Sequence, residues 1–141
     1  MTQEVAYRFV EALTVLETSG QLDPIIDTFS EGCDLANASS QVTFSGKAGA
    51  HDYWTRYRNA FRTIRSDIRN IIIGDDSIAL EWTTQATDQA GREIHCNGVS
   101  ILETRGLSIV RFRAYFDPKQ VAEKIPARSV QNNLTASASR A

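Results

Sequence analysis

Two cysteines, two histidines, three prolines and one methionine in 141 residues leave several kinds of chemistry without the side chains they need. Cys33 and Cys96 are far apart and form no CxxC pair, so neither a disulfide framework nor a thiolate metal site is expected. Both thiols are read as reduced. His51 and His95 belong to different elements, and no compact group of histidines and carboxylates supplies three or four ligands, so no metal and no cofactor is expected. No glycine-rich phosphate loop is present. No apolar run reaches the roughly 18 residues of a membrane span, and MTQEVAYRF has neither the basic start nor the apolar centre of a secretory signal. A cytoplasmic protein without a membrane partner is the expectation. Fifteen basic against seventeen acidic residues give a net charge of -2, so no nucleic-acid partner is expected either.

The residues that remain suffice for one core. From Glu4 to Glu17, apolar side chains at Val5, Phe9, Ala12, Leu13 and Leu16 have helical spacing, and Gly20 ends the run. Leu22 to Phe29 reads as a second, short helix. Ser30 to Gly46 is loop-like, with a brief strand over Gln41 to Phe44. Helical spacing returns over Gly49 to Ile64, where Tyr53, Trp54, Tyr57, Ala60, Phe61 and Ile64 form a stripe. Extended runs follow at Asp67 to Ile73, Ser77 to Thr87, Arg92 to Glu103 and Leu107 to Phe116, separated by turn signals. In the last of these, Val110, Phe112, Ala114 and Phe116 share one face, opposite Ile109, Arg111, Arg113 and Tyr115. Asp117, Pro118 and Gln120 are the capping signature of a helix to Ile125. One domain over 1–125 and a polar tail over 126–141 are expected. Helices first and an antiparallel meander afterwards specify an α+β fold.

Strand parity brings Trp82, Thr84, Ile94, Cys96, Phe112 and Phe116 to one side, where, with Trp54 and Ala114, they would line an apolar ligand pocket. His95 has the opposite parity. Cys96 lacks a neighbouring base and reads as a buried structural thiol. Candidates for proton chemistry are Asn37, Tyr53, Tyr57 and Asp117, the last also explained by its capping role. Glu81 and Glu103 read as surface carboxylates, with Arg111 and Arg113 as available partners.

The order of elements, the Gly49-led helix, IALEWTTQAT, NGVSILE and above all VRFRAYFDP resemble the SnoaL-like polyketide cyclases and limonene-1,2-epoxide hydrolases of the nuclear-transport-factor-2-like group. The resemblance implies a cone-shaped fold with a curved, mainly antiparallel sheet packed against N-terminal helices. It also implies an apolar pocket and a homodimer. The epoxide hydrolases resembled here carry an arginine and two acids where this chain has Trp82, Thr84 and Ala114. None of the three can perform those proton transfers, so epoxide hydrolysis by that mechanism is disfavoured. The resemblance leaves an isomerase or cyclase acting on a hydrophobic polyketide- or steroid-like molecule. The alternatives are a non-catalytic binder of such a ligand and a dimeric structural domain.

Overall fold

The computed structural model describes residues 1–117, so the expected helix from Pro118 and the tail over 126–141 lie outside the described residues. Helix α1 (Thr2–Ser19) buries Val5, Ala6, Phe9, Ala12 and Leu16 along one stripe. It stops where Gly20 takes φ 79°, a left-handed turn in which the Gly20 N–H reaches the Leu16 carbonyl at 2.9 Å. Helix α2 (Asp23–Ile26) is a single turn opened by Pro24. Strands β1 (Phe29–Asn37) and β2 (Thr43–Ser45) come next, and helix α3 (Gly46–Ala60) connects them to the meander. The meander is β3 (Phe61–Ile73), β4 (Ser77–Asp88), β5 (Glu93–Arg105) and β6 (Ser108–Phe116). The six strands form one curved, open sheet in the order β2-β1-β6-β5-β4-β3, with β1 parallel to β6 and every other pair antiparallel. None of the described helices is long and apolar enough to cross a membrane.

Three stretches differ from the sequence reading. Phe29 opens a strand rather than closing a helix, and the stretch read as a loop after it is the nine-residue β1. The loop-like pair Glu31 and Gly32 falls where the register is irregular, between Phe29 and Asp34. Beyond that irregularity Cys33 and Leu35 alternate as fully buried residues. Second, α3 ends at Ala60, and Phe61 is already extended at φ -128° and ψ 143°. Tyr57 and Phe61 keep helical spacing across the junction, and no glycine or proline marks it, so the pattern alone overruns the boundary. Third, the expected face of β6 breaks at Val110. Glu103 pairs with Arg111 but Thr104 pairs with Ile109, which leaves Val110 as the extra residue of a bulge and turns Ile109 into the core.

The core lies between the helices and one face of the sheet. Trp54 stacks on Phe112 with ring centroids 5.3 Å apart and planes at 14°, while Phe9 meets Phe112 edge-on at 5.7 Å. Phe29 closes the group 6.2 Å from Phe112. This aromatic cluster fastens α1 and α3 to the sheet by burial, which is worth about 1.5–3 kcal/mol for a large side chain.

Candidate functional site

Register assigns the inward-facing side chains of the meander to rows. One row runs Ile68, Trp82, Gly98, Phe116 and the next runs Ser66, Thr84, Cys96. A third contains Leu80, Ser100 and Ala114, and Ala114 pairs with Asn37 of β1. The expected pocket residues Trp82, Thr84, Ile94, Cys96, Phe112, Ala114 and Phe116 therefore share the inner face, with Trp54 of α3 packed over it. Trp82 lies flat across β5, its Nε1 donating to Ser100 Oγ at 2.9 Å and its ring 6.3 Å from that of Phe116. This requires Gly98, because a Cβ there would stand 2.5 Å from the Trp82 ring and 2.5 Å from the Tyr115 carbonyl oxygen. A cavity of about 410 Å³ opens on the other side of the sheet, against Arg69, Glu81, Thr83, Asn97 and Val99. Of the expected pocket residues, Trp82 alone borders it.

Two hydrogen-bonded groups join α3 to the sheet. In the first, the Tyr53 hydroxyl donates to Asn37 Oδ1 at 2.6 Å, uniting two candidates sixteen positions apart. Burial raises the Tyr53 pKa, so the phenol stays neutral and remains a donor. Beside it, the Trp54 Nε1–H is buried without a hydrogen-bond partner among the described residues. Such a group costs about 1–3 kcal/mol when left unpaired. The second group centres on Glu17 of α1. Its Oε2 accepts the Tyr57 hydroxyl at 2.6 Å and the Ser66 hydroxyl at 2.7 Å, and its Oε1 accepts the Ser66 backbone N–H at 2.8 Å. Ser66 Oγ in turn lies 2.7 Å from Thr84 Oγ1. Burial, then the Glu17 charge, holds the Tyr57 phenol well above its ordinary pKa.

Glu17 and Ser66 were not among the candidates. Glu17 stands four residues after Leu13, at the margin of the apolar stripe, where an acid ordinarily meets solvent. Ser66 alternates with Ile64 and Ile68 in β3, a signal hidden by reading Ile64 as helical. Asp117 is exposed at the end of β6, and its capping role falls on residues outside the description. Burial first, and the Asp117 charge second, push the Cys96 thiol up to about 11. His51 and His95 are exposed, and among the described residues no three His, Cys, Asp or Glu side chains gather to hold a metal.

Helices cradled by one open, curved sheet define an α+β cone of the nuclear-transport-factor-2-like class. The chain belongs to the SnoaL-like domain family, whose profile matches residues 6–112. A comparison with curated protein sequences gives no match. Among solved structures it is similar to a candidate isomerase from Rhodopseudomonas palustris, at 19% identity and TM-score 0.77, covering 88% of this chain and 97% of that one. A candidate SnoaL-like polyketide cyclase from Jannaschia sp. CCS1 matches at 15% identity and TM-score 0.73, covering 86% and 93%. An epoxide hydrolase from M. tuberculosis, like the limonene-epoxide hydrolases, matches at 16% identity and TM-score 0.71, covering 96% and 97%. At these identities the likeness is one of fold.

Proposed function

We propose that this chain is an enzyme of the isomerase or cyclase kind, holding a hydrophobic, ring-containing molecule of polyketide or steroid type on the inner face of the sheet beside Tyr53 and Asn37. The observation that carries the reading is the Tyr53–Asn37 pair, a neutral phenol held at 2.6 Å from an amide oxygen on an otherwise aromatic wall. A ligand carbonyl that takes the place of Asn37 Oδ1 would receive that hydrogen bond. Trp54 Nε1 on the same helix is a further donor, without an acceptor among the described residues. Donors fixed in an apolar surround stabilise the negative charge that grows on a carbonyl oxygen as a neighbouring carbon gives up its proton, which would pass to the Glu17 carboxylate, bonded to Tyr57 one helical turn along α3 from Tyr53. The isomerase and cyclase among the similar folds agree with this reaction class. Trp82, Thr84 and Ala114, which face inward, argue against the epoxide-opening mechanism, for which none has the acid or the cation.

The test is exchange of carbon-bound protons. Fused-ring ketones are incubated with the protein in D2O, and the protons beside the carbonyl are followed by NMR. Protein-dependent exchange that is lost in Tyr53→Phe supports the reading. Ligand binding without exchange would make the chain a binder.

A second reading, a dimeric structural domain, draws on the aromatic packing of Phe9, Phe29, Trp54 and Phe112. It takes the outer face of the sheet, with Ile72 and Tyr115 exposed, as the contact with a second copy of the chain. Sedimentation of the wild type and Tyr115→Asp would test the pairing.

A further inference from the structure

We propose that Thr84 is the acceptor that selects a hydroxyl-bearing ligand on the inner face of the sheet, and that Glu17 sets this preference through Ser66. The inference rests on the hydrophobic-ligand reading above and names the ligand's polar group.

The argument is a count of hydrogens. An ionised carboxylate only accepts, so in the 2.7 Å contact between Ser66 Oγ and Glu17 Oε2 the hydroxyl is the donor. Ser66 has one hydroxyl hydrogen, and that contact uses it. In the 2.7 Å contact between Ser66 Oγ and Thr84 Oγ1, the donor must then be Thr84. Thr84 has spent its own hydrogen and has only lone pairs to offer. No other hydrogen bond to its side chain exists among the described residues. Thr84 is 9% exposed, and its side chain is flanked by Cys96 across the strand pair and by Trp82 two residues before it. A ligand lying there against apolar walls can satisfy Thr84 by donating an O–H and cannot by presenting another acceptor.

The direction of the chain depends on residue 17. In Glu17→Gln the Ser66 backbone N–H still requires an acceptor, so the amide oxygen stays at the Oε1 position and the NH2 takes the Oε2 position. That NH2 donates to Ser66 Oγ. The Ser66 hydrogen is released toward Thr84, and the Thr84 hydrogen is released toward the ligand. The second NH2 hydrogen faces the Tyr57 hydroxyl, which donates to Oε2 in the wild type and must turn to accept instead, so the substitution reverses the polarity at Thr84 at the cost of the Tyr57 bond.

The experiment compares 2-naphthol, a donor, with its methyl ether 2-methoxynaphthalene, an acceptor only, by ligand-detected NMR titration against the full chain. Wild type should bind the naphthol about tenfold more tightly, the worth of one hydrogen bond in a dry site. Thr84→Ser should keep the preference and Thr84→Val, its near isostere, should abolish it. Glu17→Gln should shift the preference toward the ether. Circular dichroism confirms that each variant is folded, and the wild-type comparison stands without any of them. Equal binding of both probes by wild type, or a preference unchanged in Thr84→Val, would overturn the inference alone. If neither probe binds, the hydrophobic-ligand reading fails and this inference fails with it.

Discussion

Glu17 and Ser66, 49 positions apart, are joined by two hydrogen bonds, from the Ser66 N–H at 2.8 Å and from its hydroxyl at 2.7 Å. The pair ties α1 to β3, and the Tyr57 hydroxyl brings α3 to the same carboxylate. Removing the carboxylate in Glu17→Ala leaves three donors without their acceptor. A loss of about 2 kcal/mol is expected in urea unfolding, since hydrogen bonds to a charged group are worth about 1.5–3 kcal/mol and this site is half-buried. Tyr57→Phe removes one donor and leaves the carboxylate bonded to Ser66, so about 1 kcal/mol is expected there. An equal effect of the two substitutions would show that Ser66 contributes nothing to the anchor.

Gly98→Ala puts a methyl group where the Trp82 ring and the Tyr115 carbonyl oxygen each stand 2.5 Å away. The indole must leave β5 and surrender its bond to Ser100. Overpacking of this kind costs about 1–3 kcal/mol. The tryptophan emission should move to longer wavelength as Trp82 becomes solvated, and an unchanged spectrum would mean that the backbone yields instead.

Cys96 should be a slow nucleophile. Its thiol is pushed up to about 11, first by burial and then by Asp117, so it remains protonated at neutral pH. Alkylation of the folded chain by iodoacetamide should accelerate with pH up to that value. Asp117→Asn should shift the profile to lower pH by removing the charge that opposes the thiolate. Mass spectrometry of the modified peptide distinguishes Cys96 from Cys33, whose thiol is also raised by burial.

On the outer face of the sheet, Glu103 accepts hydrogen bonds from Arg113 at 2.9 Å and from Arg111 at 3.4 Å. The Arg113 bond, more than the Arg111 charge, holds the carboxyl below its ordinary value of 4.5. A lowered folded-state pKa means that the stabilisation is complete above the unfolded value and disappears as pH falls through the folded one. Glu103→Gln should therefore remove a small part of the acid dependence of stability below about pH 4.5 and leave the dependence above pH 6 unchanged. Thermal melts across that range provide the measurement. The effect is modest because the pair is open to water.

The sequence by itself determined the helix over α1, the second half of β3 with the three strands after it, and the inward parity of Trp82, Thr84, Ile94 and Cys96. Each of these is written in a local repeat, of 3.6 residues or of two, that a burial preference enforces wherever the segment lies. It also carried the family, because VRFRAYFDP and the order of elements survive without any pairing being known. Tertiary structure decided the rest. A period reveals which side of a strand faces the core, but not which residue stands across the gap. The partnership of Tyr53 with Asn37 depends on α3 crossing β1, and that of Glu17 with Ser66 on α1 lying over β3. The bulge at Val110 was illegible for a related reason: an extra residue is tolerated only because β5 pairs around it. The polarity of Thr84 is the furthest from the sequence, since it follows from a carboxylate that reaches it only through the hydroxyl of Ser66.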